Sequence, residues 1–325
     1  MALTGPRWKL PGRLPWVALI LTGIVACASV PPPADPLQRD PRIADAVALA
    51  RDAFQRKRFD QAVLLYQRAL SRAYASDDAT AQAAVGYELA LTEYRRYRYR
   101  RAVDLAESTN ARLQRRGLPE RDDVRLVQAW ALYQSGDVDR ALELARGLGG
   151  VRGDRADAQP VALRATVLAA FIAADRQDAD ALQKLIAALP PPEDPVTAAD
   201  TDELTARLLA LRGDHARASE RFLRAVEGRR DSGDTDGVAR NLALAAENAR
   251  AAGTLQRAAD LYLRAARSAL AGPRQSPEAL RADEWIRSAV TLARRVNEPY
   301  LEREGQELLR LVEETAPTGN GKASF

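Results

Sequence analysis

The chain has 325 residues, 46% of them apolar but only 6% aromatic, with 48 Arg and Lys against 44 Asp and Glu. That length allows two ordinary domains or one elongated array, and an apolar set made mostly of Ala and Leu favours thin, closely approaching helices over a sheet. The surplus of positive charge sits at the start (Arg7, Lys9 and Arg13, with no acid before residue 27). The rest holds 45 bases against 44 acids, which argues against binding nucleic acid, an act that needs a strongly positive face.

Residues 1–15 are basic, and Trp16 to Val25 (WVALILTGIV) is an apolar run shorter than the roughly 20 residues a bilayer span requires. A basic start, a short apolar stretch and small residues before a break predict a secretory signal over residues 1–26. The break reads Ile24-Val25-Ala26-Cys27, and Cys27 is the only cysteine, so no internal disulfide can form. These four residues resemble the bacterial lipobox. The resemblance implies cleavage before Cys27 and acyl chains on its thiol, giving a membrane anchor. Ala28 follows where an Asp would imply retention in the inner membrane, so the resemblance implies the outer membrane, facing the periplasm. The alternative is an ordinary signal or anchor with a chance cysteine. Residues 27–42 contain Pro31, Pro32, Pro33, Pro36 and Pro41, which disfavour helix and predict an extended tether.

A repeated pattern follows: a helical stretch, a break, a small Ala, an apolar residue about one turn on, and often another Ala. The first copy is AFQRKRFDQAVLLYQRAL, with Phe59, Ala62, Tyr66 and Ala69. The second holds Tyr99 and Ala102; the third, YQSGDVDRALELA, holds Gly136, Val138, Ala141 and Ala145. The fourth, DRQDADALQKLIAAL, holds Ala181, Leu185 and Ala188. The fifth and sixth, LRGDHARASERFLRAV and AAGTLQRAADLYLRAA, place Gly213, Ala218, Phe222 and Gly253, Ala258, Tyr262 in the same order. The marker alanines 62, 102, 141, 181, 218 and 258 are 40, 39, 40, 37 and 40 residues apart. Each Gly stands where the first helix must stop, as a left-handed cap; the Ala stands where two helices cross.

This pattern resembles the tetratricopeptide (TPR) family, best in copies five and six, well in one and three, and more weakly in two and four, which lack the glycine. The family period is about 34 residues, shorter than the spacing here. The resemblance covers residues 43–271 and implies an all-α solenoid of six to seven antiparallel helix pairs within 43–315. A seventh pair, about 277–315 with Trp285 and Ile286, loses the pattern, as terminal repeats do when they cap a stack. Breaks between pairs are expected at Gly149-Gly150, at Pro190-Pro191-Pro192 with Pro195, and at Gly272-Pro273. The tail, residues 316–325, is expected to be disordered.

Signals for catalysis are thin. The single histidine, His215, is placed in a turn, with no second His or free Cys to complete a zinc site or a nucleophilic triad. The acidic pairs Asp77-Asp78, Asp122-Asp123 and Glu313-Glu314 lie near helix ends, where carboxylates suit the helix dipole. No phosphate-cradling glycine motif occurs. Neither a cofactor nor a metal is expected.

Candidate binding residues come from the first helix of each pair, which lines the inner face of a solenoid. Positions three before, one after and four after the small crossing residue form one stripe. Around Ala50 these are Val47, Arg51 and Phe54; around Ala90, Tyr87, Leu91 and Tyr94; around Ala129, Leu126, Trp130 and Tyr133. Further on come Glu203 and Arg207, then Glu247 and Arg250, so the stripe is aromatic early and charged late. Tyr, Trp and Arg are favoured at interface hot spots. The rings either face a peptide groove or pack between repeats. The run Tyr94 to Arg101 adds Arg95, Arg96, Arg98, Arg100 and Arg101, five guanidiniums that cannot all be buried. They read either as a dock for an anionic surface or as a solvated turn.

The expected function is a non-catalytic scaffold whose concave groove holds an envelope protein. Resemblance to lipid-anchored TPR proteins implies a partner in outer-membrane assembly, a pilus or secretion machine, or cell-wall synthesis. The alternatives are a regulatory subunit, a carboxylate-based glycan hydrolase with two facing carboxyls, and a binder of an anionic polymer or small ligand through the arginine run.

Overall fold

The computed structural model describes residue 37 and residues 39–150 and 158–315. Cys27, the signal segment, the start of the tether and the tail 316–325 lie outside the described residues.

Fourteen helices fill the described residues, in seven consecutive pairs, and no strand is found among them. The pairs are α1 (Pro41–Gln55) with α2 (Phe59–Ala75), α3 (Ala79–Arg95) with α4 (Tyr99–Arg115), and α5 (Asp122–Gln134) with α6 (Val138–Gly149). Then come α7 (Ala158–Asp175) with α8 (Ala179–Ala188), α9 (Pro195–Leu211) with α10 (His215–Asp231), α11 (Thr235–Ala251) with α12 (Leu255–Leu270), and α13 (Pro277–Arg295) with α14 (Pro299–Thr315). The helical array begins at Pro41, within the span expected to be tether. Pro suits the first helical position, where its missing N–H is not needed, and Asp40 caps that end by accepting from Arg42 N–H at 2.9 Å.

One backbone device repeats in all seven turns between paired helices. A single residue adopts left-handed φ: Lys57, Tyr97, Gly136, Gln177, Gly213, Gly253 and Asn297. The next residue then donates its N–H to the carbonyl five positions back, as Arg58 does to Ala53 (2.8 Å), Asp178 to Ala173 (3.0 Å) and Thr254 to Ala249 (2.9 Å). Those bonds satisfy carbonyls that the ending helix leaves open. Three of the seven positions carry the glycine expected there. Pairs one, two, four and seven reach the same conformation with side chains for which it costs about 1–2 kcal/mol.

This register corrects one marker. The residue five beyond each left-handed position is the fourth of the second helix: Ala62, Ala102, Ala141, Leu182, Ala218, Ala258 and Glu302. In pair four it is Leu182, fully buried, and not the half-buried Ala181. The other five alanines named as markers are wholly buried, and Tyr66, Phe222 and Tyr262 fill the space beside them. Burying such a ring stabilises by about 1.5–3 kcal/mol relative to leaving it exposed. Successive helices pack as neighbours, and first helices also touch the first helices of adjacent pairs: α3 with α5, α5 with α7, α7 with α9, and α11 with α13. That second set of contacts lays the first helices side by side along one face.

Candidate partner-binding face

Seven residues before each left-handed turn position stands a buried crossing residue on the first helix: Ala50, Ala90, Ala129, Ala170, Ala206 and Ala246, then Val290. The stripe runs beside them. The same positions around Ala170, a pair for which the sequence pattern names no stripe, are Val167, Phe171 and Ala174.

Phe54, Tyr87, Leu91, Tyr94, Trp130 and Tyr133 are all half-buried. Each packs one side against a core cluster, so the rings serve between repeats and also present an edge outward. Phe54 meets Phe59 edge-on, with centroids 5.3 Å apart. The Arg121 guanidinium lies over the Tyr87 ring at 5.6 Å. Tyr94 and Tyr99 are tilted at 5.6 Å. Trp130 meets Tyr133 and Phe171 edge-on, each at 6.1 Å. Such pairs add roughly 0.5–1.5 kcal/mol beyond their area and hold the ring edges in fixed directions. Burial raises the Tyr94 hydroxyl to about 12. Burial and the neighbouring Asp175 carboxylate push Tyr133 up as well. Both phenols are therefore neutral donors at any ordinary pH.

Beyond Phe171 the stripe becomes ionic. Arg207 lies over Phe171 and donates to Asp175 (2.7 Å) and Glu203 (3.1 Å), while Tyr133 donates to the second oxygen of Asp175 at 2.5 Å. Glu203 is wholly buried and gathers four partners. Arg229 donates to it at 3.2 Å and the Asn241 amide at 3.0 Å across to α11, while Arg240 stands 3.6 Å away. Burial alone would raise the Glu203 carboxyl; Arg240, Arg207, Arg229 and the Asn241 bond outweigh it and hold the group well below the usual range. Asp200, bonded to Arg229 (2.6 Å) and Arg164 (2.7 Å), goes the other way, because its burial outweighs both guanidiniums. Asp200 and Glu203 share the Arg229 guanidinium, which ties α9 to α10.

The arginine run is divided by the α3–α4 turn. Arg96 pairs with the wholly buried Glu93 at 2.9 Å and with Asp60, and Arg101 reaches Glu93 at 2.9 Å. Arg95, Arg98 and Arg100 are exposed, with no ion pair among the described residues. His215 opens α10, where its Nδ1 lies 2.9 Å from Asn248 Oδ1. Among the described residues no cluster of His, Cys, Asp and Glu is arranged to hold a metal. No described helix is long and apolar enough to cross a membrane.

No family model and no curated protein matches the chain. Several solved structures are similar to it. A tetratricopeptide repeat protein from Parabacteroides merdae is 17% identical with a TM-score of 0.46, over 84% of this chain and 100% of that one. The TPR2AB domain of yeast Sti1, in a complex with pHSP90, is 17% identical with a TM-score of 0.32, over 83% and 98%. The C-terminal part of a TPR repeat-containing protein from Cytophaga hutchinsonii is 11% identical with a TM-score of 0.40, over 83% and 96%. By its own repeating turns and crossings, the described part of the chain is an all-α solenoid of seven TPR-like antiparallel helix pairs.

Proposed function

We propose that this protein is a non-catalytic scaffold that holds a segment of a partner protein along the stripe from Tyr87 to Arg207. One observation carries the reading: half-buried rings and an arginine follow one another on adjacent first helices, braced by Trp130 against Phe171 and Phe171 against Arg207. Fixed aromatic edges beside a charged end give binding energy with little ordering cost. The lipobox-like residues support a position in the cell envelope, anchored through Cys27 to the outer membrane and facing the periplasm. An envelope assembly complex is then the partner class.

The test is affinity capture from envelope extracts, comparing the native chain with a variant carrying Tyr87→Ala, Tyr94→Ala, Trp130→Ala and Tyr133→Ala. The native chain should retain a protein that the variant loses, with helical content in far-ultraviolet circular dichroism largely kept. The same captured set from both would remove the groove reading. Separately, Cys27→Ser should abolish incorporation of labelled fatty acid; continued labelling would remove the anchor.

A further inference from the structure

Two contacts join the early turns of the solenoid to its later part. Lys57, in the α1–α2 turn, donates from Nζ to the Gly233 carbonyl in the α10–α11 turn at 3.1 Å, across 176 residues of sequence. Tyr97, in the α3–α4 turn, donates its hydroxyl to Asp236 in the first turn of α11, 139 residues away. Tyr97 does so from the left-handed backbone, φ 62°, that every turn between paired helices shares. Opposite charges stand on the two sides, with Arg229 and Arg230 also on the later one. Lys57, Arg95 and Arg98 stand on the early turns, and Asp231, Asp234 and Asp236 on the later segment. Inward of these, Tyr94 lies within the electrostatic reach of Arg240 and Asp234, so the stripe of the second pair faces the start of the sixth. The second Asp236 oxygen, Oδ1, is buried without a hydrogen-bond partner, so the contact forms at a desolvation cost.

We infer that Tyr97 with Asp236, assisted by Lys57 with Gly233, forms a clasp that closes the inner face, and that a partner segment enters the stripe when the clasp opens. The inference rests on the groove reading above for its purpose, but the closure itself does not. Exposed opposite charges near the contact make it salt-sensitive.

The experiment uses the full chain with Cys27→Ser and spin-labelled cysteines at the exposed positions Gln55 and Ser232, with inter-label distances measured in the absence of any partner. The native pair should give a dominant short-distance population. Tyr97→Phe, which removes the donor, should raise the long-distance fraction about tenfold, the change expected from losing one hydrogen bond to a charged group, and Asp236→Asn, which keeps an acceptor oxygen but loses the charge, should raise it by less. The double variant should open little more than Tyr97→Phe alone, and 1 M NaCl should act in the same direction. Variant distributions that superimpose on the native one, or a native distribution already dominated by long distances, would overturn the clasp. Because no partner is present, this outcome is independent of the groove reading, which stands or falls on capture. With a captured partner in hand, Asp236→Asn should bind it faster than the native chain; equal rates would overturn the role in entry.

Discussion

The Arg207 guanidinium lies over the Phe171 ring, 5.4 Å from its centroid, at the point where the inner stripe passes from rings to charges. Phe171 also braces Trp130 edge-on at 6.1 Å, so this one side chain supports both halves. Phe171→Ala should lower stability by about 3–5 kcal/mol, the range for emptying a buried phenylalanine site. Urea unfolding followed by circular dichroism measures it. Phe171→Leu should recover most of that loss while leaving partner capture impaired, because Leu fills volume but offers no ring face.

Glu203 holds together α9, α10 and α11 through Arg207, Arg229 and Asn241. Glu203→Gln leaves buried guanidiniums short of a counter-charge and should cost about 3–5 kcal/mol in stability. A chemical-denaturation midpoint unchanged by this substitution would show that the charge at Glu203 is dispensable.

The same carboxyl sets a pH dependence. Its folded pKa is depressed, so its contribution is fully present above the unfolded value of about 4.3 and is lost as pH falls below that. The difference in thermal midpoint between the native chain and Glu203→Gln should therefore narrow progressively on acidification below about pH 4.3. Asp200, displaced upward, works in the opposite direction, so the variant comparison is the informative one. A difference that stays constant to pH 3 would contradict the assignment.

Gly213 and Gln177 occupy equivalent turns at φ 80° and 57°. A Cβ on Gly213 would meet nothing within 4 Å, so Gly213→Ala tests backbone conformation alone. It should destabilise by roughly 1–2 kcal/mol. Gln177→Gly should be neutral or slightly stabilising, since relief of strain offsets the added freedom of the unfolded chain. Both are read from thermal midpoints.

Gly228 reports on a different constraint. A Cβ there would lie 2.7 Å from the Pro195 carbonyl oxygen and 3.0 Å from the Ala199 Cβ, so α9 and α10 would have to separate. Gly228→Ala should cost about 1–3 kcal/mol, measured by the same thermal scans.

Much of this fold is legible in the sequence, because a turn residue and a crossing residue recur at near-constant spacing and each has a steric reason. The fourth copy misled because Ala181 and Leu182 are adjacent and both are plausible at the crossing. Choosing the alanine shifts the register by one, and the stripe read from the sequence also passes over the first helix of pair four, which leaves Phe171 unnamed. The glycine signal also understated the turns, since Lys57, Tyr97, Gln177 and Asn297 adopt the conformation without it. The arginine run looked like a single patch, yet a buried acid one turn earlier, Glu93, takes Arg96 inward and pairs with the still exposed Arg101. Nothing local encodes the meeting of Tyr97 with Asp236; it arises only when the accumulated rotation of four pairs brings the two segments together.

The shortest helix, α8, has ten residues and only Leu182 fully buried among its side chains. A stack joined through its neighbours is only as strong as its thinnest seam. Under tension applied at residues 41 and 315, extension should start at α8 and divide the molecule into an early and a late block, giving the solenoid a mechanical fuse.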